Sequence, residues 1–235
     1  MTDIIPITAD DLVPLENFQS THPLRVDLVY AQAAHRDNMF KTAIYHPAAQ
    51  MLCHRMFLPV ILDAANLCHA QSGYIFEVKD CLRTVEAQGL MAQTDIVRAN
   101  PHWLQEPNRL LSPPGKGGHP RAMAVDVILL DGNGDEIDMG TPFDYLTPDP
   151  GRNPAARAFM DLPPDILSRR KMLEDCMMQA AAKNNLPLLP LPQEWWDFRF
   201  PRDFYESYAP VQDADMPADK RMTDIDMLNK TVTAV

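Results

Sequence analysis

Apolar residues recur along this chain with two rhythms, one of three to four residues and one of short continuous runs. Between Pro47 and Ser72, the residues Met51, Leu52, Met56, Leu58, Ile61, Leu62, Ala65 and Leu67 follow the spacing that lines one face of a helix. Gly73 supplies its C-cap. Pro59 lies inside the pattern and predicts a kink or a split, because it has no N–H and its ring crowds the preceding turn. Tyr74 to Val78 (YIFEV) is a β-rich run between turn residues and predicts a core strand. Met123 to Leu130 predicts a second one. It closes on Asp131-Gly132-Asn133-Gly134, a hairpin signal that predicts antiparallel return pairing of Glu136 to Met139. Pro163 to Asn185 predicts an amphipathic helix, with Ile166, Leu173, Met177 and Ala180 on one face, Pro at the start and Asn at the end. A last strand is predicted near Glu194 to Phe200. Val26 to Phe40 mixes residue types without a period.

Twenty-two prolines against nine glycines imply many rigid extended connections between short elements, hence an irregular α+β domain. Residues 1–24 read as an extended arm wrapping onto the body, 25–211 as the main domain and 212–235 as a polar, weakly structured tail. A formal net charge of −11 argues against nucleic acid or an anionic membrane as partner, since either would be repelled over most of the surface. A small solute or a peptide fits better. Cys53, Cys68, Cys81 and Cys176 lie far apart with no metal-type spacing and read as buried thiols in a reducing compartment. The start has no basic n-region or apolar h-region, and no segment reaches the length of a membrane span. The expectation is a cytoplasmic protein, or a periplasmic one if a presequence was removed.

Two clusters carry candidate chemistry. GGHPRAMAVDV places His119 in a Gly/Pro loop and Asp126 inside an apolar strand, where a carboxylate must be paired or metal-bound because an unpaired buried charge is costly. A hydrogen-bonding role accounts for Asp126 equally well. Glu194-Trp195-Trp196-Asp197 sets two carboxylates three residues apart, which can share one site only at a strand end or bulge. The plainer account is two surface acids around a tryptophan anchor.

Together the clusters resemble the signature of the M15 metallopeptidases, in particular the D-Ala-D-Ala dipeptidase (VanX-like) branch, which reads SxHxxGxAxD followed later by ExWH. His119, Ala124 and Asp126 match the first motif; Glu194 and Trp196 match the second. VDLVYAQAAHRDNMF is similar to the family's tyrosine segment, with Tyr30, Asn38 and Phe40 in place. VKDCLR resembles the stretch that delivers a catalytic arginine, here Arg83, and DMGTPFD resembles the stretch ending in a substrate-binding acid, here Asp144. Three positions depart from the pattern: Asp197 stands for the last histidine, Gly117 for the serine and Ala122 for the glycine.

The resemblance implies a small antiparallel central sheet flanked by helices, the Hedgehog/DD-peptidase-like fold. It implies one Zn²⁺ held by His119, Asp126 and Asp197, with Glu194 as general base and Arg83 stabilising the oxyanion. Tyr30 and Asp144 would hold the ends of a D-Ala-D-Ala-like dipeptide. With Asp197 as third ligand the site would be formally neutral, which predicts a less acidic bound water and a better fit to Mn²⁺ or another divalent ion. Two other readings remain. One is a carboxypeptidase acting on peptidoglycan stems; the other is a metal-free descendant that binds peptides.

Overall fold

In the computed structural model, residues 4–106, 109–149 and 151–224 are described. Among the described residues, seven short strands and five α-helices follow one another, joined by 3₁₀ turns. The strands are β1 (Leu12–Pro14), β2 (Leu24–Val26), β3 (Leu52–His54), β4 (Ile75–Asp80), β5 (Ala124–Leu130), β6 (Leu189–Pro190) and β7 (Asp197–Arg199). The helices are α1 (Leu58–Ser72), α2 (Val85–Ala92), α3 (Asp95–Ala99), α4 (Pro164–Lys183) and α5 (Arg202–Tyr205). β1 and β3 form a small antiparallel pair. The main sheet has the order β2-β4-β5-β7-β6.

This is the mixed α+β architecture anticipated from the sequence, with one change of detail. β2 runs parallel to β4, while every other pairing in the main sheet is antiparallel. Parallel neighbours need a long crossover, and the chain from 27 to 74, which includes α1, provides it. β5 is buried at all seven positions, as a strand in the middle of a covered sheet must be. That is why its apolar run is continuous and why Asp126 within it stands out.

α1 begins later than its hydrophobic spacing suggests. Met51 and Leu52 belong to the approach to β3 and to β3 itself, which pairs with β1 of the N-terminal arm. Pro59 therefore lies in the first turn of α1, where its missing N–H costs nothing, so the helix is neither kinked nor split. The C-terminal end is as expected: Gly73 has φ 76°, and its N–H reaches the His69 carbonyl. Val60, Ile61, Ala64, Ala65 and Cys68 form the buried stripe of α1, which packs against α4, where Leu173, Cys176, Met177 and Ala180 are buried. Each large apolar side chain buried here contributes about 1.5–3 kcal/mol. The four cysteines are free and buried. The predicted hairpin forms its turn, with Asp131 Oδ1 accepting from the N–H groups of Asn133 and Asp135, but the return strand shrinks to a single bridge between Leu130 and Glu136.

The strand expected near Glu194 to Phe200 is only Asp197–Arg199. Within the expected loose tail, the described part, 212–224, is packed onto the body: Asp213, Met216, Met222 and Thr223 are buried. The rest of that tail lies outside the described residues. The Asp213 carboxylate accepts hydrogen bonds from Thr84 Oγ1 (2.9 Å), Met222 N (2.7 Å), Thr223 N (3.1 Å) and Thr223 Oγ1 (2.6 Å). Its own N–H donates to Glu86 at the first turn of α2. A polar composition does not reveal this, because the anchor joins one acid to Thr84 and Glu86, more than a hundred residues away. Asp213→Ala strands these buried donors and is expected to lower the unfolding free energy by about 3 kcal/mol. Urea denaturation measures it, and an unchanged midpoint would show that the segment contributes little.

Candidate active site

The site lies where β4, β5 and β7 end side by side. Asp80 faces Asp126 across β4 and β5, and Asp126 faces Asp197 across β5 and β7. Directly opposed residues of antiparallel strands project on the same side of the sheet, so the three carboxylates form one row. A register shift between Val78 and Asp80 creates the first of these pairings. All three residues are buried. Like charges placed this way repel strongly, and the surrounding cations answer that repulsion.

Arg83 follows β4 and turns back onto Asp80, with Nε 2.8 Å and Nη2 2.6 Å from Oδ2; Nη2 also lies 3.6 Å from Asp126. Asp80 is held in turn by the Tyr45 hydroxyl (2.6 Å) and the Cys81 N–H (2.9 Å). On the far side, Arg199 grips Asp197 with two nitrogens: Nε lies 2.7 Å from Oδ1, and Nη2 contacts Oδ2. Residues i and i+2 of a strand share a face, which is why Arg199 can do this. Its cross-strand partner is Ala124, whose small side chain leaves it space.

His119 closes the row from a buried 3₁₀ turn. The turn is fastened by Arg121, whose guanidinium donates to the carbonyls of Tyr208, Gly115 and Gly117. His119 Nδ1 lies 2.8 Å from the Cys81 carbonyl, which can only accept, so Nδ1 carries the proton. Nε2 then faces Asp126 Oδ2 at 3.5 Å and Asp197 Oδ2 at 3.3 Å. Burial opposes the charged ring, yet the adjacent carboxylates raise its pKa to about 10. The position attracts a proton or another cation.

Glu194 precedes β7 in the loop, so the strand-end geometry lets it and Asp197 share the cleft. Burial, reinforced by Asp197 and Asp126, pushes its carboxyl well above the usual range. Burial also opposes ionisation of Asp197, but Arg199 and His119 hold that group well below the usual carboxylate range. Trp195 and Trp196 are both buried, stacked edge to face at 5.3 Å; Trp195 Nε1 donates to Thr141 Oγ1. They anchor the loop in the core.

Asp144 lines the same cleft and accepts a 2.9 Å hydrogen bond from the Tyr30 hydroxyl. Its φ of 57° is in the left-handed region, which Asp tolerates better than most residues. Burial raises its pKa to about 7 against the opposing pull of Arg83. The Arg83 guanidinium lies 5.7 Å from the Tyr30 ring centroid. Asn38 organises the preceding loop instead of entering the cleft, bonding to the carbonyls of Gln32 and Thr42.

The structure thus gathers Arg83, His119, Asp126, Asp144, Glu194 and Asp197 around one cleft, while Tyr30 is buried behind it and reaches it only through Asp144. Sequence reasoning missed Asp80, Tyr45 and Arg199. The alternation Asp197-Phe198-Arg199 within a strand is the available signal for the last of these, because it puts both charges on one face. The other two departures also have local explanations. Gly117 has φ +89°, and a Cβ there would sit 3.0 Å from Ser112 Oγ and 3.6 Å from Arg199 Nη1. Ala122 occupies a left-handed position (φ 53°), the conformation a glycine adopts without strain.

The donor set fits a divalent cation. Asp126 Oδ1 is buried with no hydrogen-bond partner among the described residues. Oxygen and nitrogen ligand atoms of Asp126, Glu194 and Asp197, and of Asp80, His119 and Asp126, lie within 4.8 Å of one another. A histidine fixed by a carbonyl on its far nitrogen is the arrangement that metal-ligating imidazoles usually show. A second group, Asp27, His35 and Asp37, is already served by the Lys79 ammonium, 2.7 Å from Asp27 and 3.0 Å from Asp37.

An arginine, a histidine and several carboxylates thus converge in one buried cleft. The D-Ala-D-Ala dipeptidase family model of the M15 peptidases matches residues 9–213, and the chain belongs to that family. It is 24% identical over 179 residues to the D-alanyl-D-alanine dipeptidase of Escherichia coli K12, covering 76% of this chain and 80% of that one. Among solved structures, it is similar to an L-Ala D-Glu endopeptidase of Serratia marcescens at 15% identity and a TM-score of 0.35, covering 66% of this chain and 84% of that one. Among the described residues, no helix is long and apolar enough to cross a membrane.

Because Asp80 neutralises buried Arg83 and satisfies Tyr45 and the Cys81 N–H, Asp80→Ala is expected to destabilise the fold by about 3–5 kcal/mol. Chemical denaturation measures this. A loss below about 1 kcal/mol would mean that Arg83 finds its counter-charge elsewhere.

Proposed function

We propose that this protein is a metal-dependent dipeptidase that hydrolyses D-Ala-D-Ala or a closely related cell-wall dipeptide. Convergence of His119, Asp126 and Asp197 with Glu194 and Arg83 in one buried cleft is the observation that supports this reading most strongly. The family membership and the dipeptidase named among its relatives agree with it.

His119, Asp126 and Asp197 would hold the ion, Zn²⁺ or a harder divalent such as Mn²⁺. When bound, it supplies Lewis-acid polarisation of the scissile carbonyl and of the attacking water. Glu194 accepts the proton that the water loses on attack and delivers it to the departing amine. A raised carboxyl pKa suits a group that must both take up and release a proton. Arg83, held rigid by Asp80, presents its guanidinium to the oxyanion, and the fixed geometry avoids reorganisation during reaction.

Asp144, oriented by Tyr30, receives the cationic amino terminus of the substrate. The free space in the cleft is about 20 Å³, enough for roughly one water molecule. Lining side chains must therefore move to admit a dipeptide. Leu110, Leu111, Ser112 and Lys116 come from irregular chain and are the natural ones to yield.

The deciding experiment is hydrolysis of D-Ala-D-Ala by protein reconstituted with Zn²⁺ or Mn²⁺, beside Glu194→Gln. The wild type should cleave; the variant should keep its metal and lose about 10²–10⁴ in kcat. Stoichiometric metal without cleavage of any D,D- or L,D-dipeptide would refute the assignment. A second outcome concerns pH. Asp144 must be ionised to bind an ammonium group, so KM is expected to fall as pH rises through about 7. Asp144→Asn should abolish that dependence, which a KM series across pH would show.

A further inference from the structure

We infer that Asp197 and Arg199 act as one electrically neutral unit at the third ligand position, so that the pair replaces the neutral histidine which the family pattern puts there. This rests on the metallopeptidase reading and deepens it. Counting side-chain ligands alone, one imidazole and two carboxylates cancel a divalent charge. Arg199 alters that sum: its guanidinium contacts both oxygens of Asp197, and only 11% of its side chain is exposed.

A guanidinium this close to a cation site would ordinarily weaken cation binding. Paired in fork geometry with a carboxylate, it cancels the extra negative charge and also fixes the ligand's orientation. Asp197 Oδ2 still faces His119 Nε2 at 3.3 Å while it accepts from Arg199. A carboxylate oxygen has two lone pairs, which allows both. With the pair counted as neutral, His119 and Asp126 leave one net positive charge on the centre, the same as two histidines and one aspartate would leave.

The local structure is arranged for this pair. Ala124 opposite Arg199 is small. Gly117 leaves the Arg199 guanidinium free of a neighbouring side chain, since a Cβ there would come into van der Waals contact with Nη1 at 3.6 Å. Arg199 is a positioning residue in this account: it acts through Asp197 and does not touch the substrate.

The test is a double-substitution cycle on the full chain, reading Zn²⁺ affinity by competition with a chromophoric chelator, so that no turnover is needed. Asp197→His restores the family's usual residue but strands the Arg199 cation beside the metal. We expect its Kd for Zn²⁺ to rise on the order of a hundredfold. Asp197→His combined with Arg199→Gln should return to within about tenfold of wild type. Arg199→Gln alone should bind Zn²⁺ no more weakly than wild type, since the carboxylate keeps its full charge.

If Asp197→His binds as tightly as wild type, or Arg199→Gln loses the metal, the neutral-unit account is wrong and Arg199 is only a structural clamp. Should the histidine variant fail to fold, as judged by circular dichroism of the metal-free chain, the Arg199→Gln affinity decides alone. A wild-type protein that binds no divalent ion would overturn the metallopeptidase reading and this inference with it. Metal binding with the wrong variant order overturns this inference only.

Discussion

Three aspartates stand in register across β4, β5 and β7, and the surrounding structure is organised to make that row tolerable. Each is buried, so none can rely on water to screen its neighbours. Arg83 serves one end and Arg199 the other, while His119 meets the centre with its Nε2. The loop around His119, pinned by Arg121, and the Trp195–Trp196 anchor keep the opposing groups in place. A stack of like charges held so firmly is unfavourable for stability alone. It is useful where a site must draw in a cation and direct its field at a bond.

The same row explains how proton affinities divide. Asp197, gripped by Arg199, stays ionised; Glu194, with no such grip, is pushed towards its protonated form by burial and by its neighbours. Two carboxyls three residues apart thus acquire opposite tendencies from their surroundings. Asp144 lies between these extremes, because Tyr30 and Arg83 partly offset the cost of burying it. Such a spread of proton affinities is characteristic of functional clefts.

Long-range fastening also accounts for the irregular look of the molecule. The main sheet is small and its edge strands have only two or three residues, so much of the chain is turn. Proline-rich connections keep these turns stiff. Asp213 stitches the C-terminal segment to the start of α2, and the N-terminal arm contributes β1 and β2 to two different sheets. The site therefore draws on residues from 30 to 199 without a large regular scaffold.

Elements governed by local chemistry were legible in the sequence. The Gly73 cap, the strands β4 and β5, and α4 with its proline start all follow from residues within a turn or two of one another. The motif residues were legible as well, because His119, Asp126 and Glu194 have a characteristic order and spacing. Tertiary structure decided what depends on partners far along the chain. Leu52 to His54 became a strand because β1 was there to pair with it, and residues 212–224 were packed down because Asp213 found Thr84. Asp80 joined the site through a register shift between strands about fifty residues apart, and Arg199 through the face it shares with Asp197. Spacing along a chain encodes which side of an element a residue occupies; only the folded register determines which charges must then share a space.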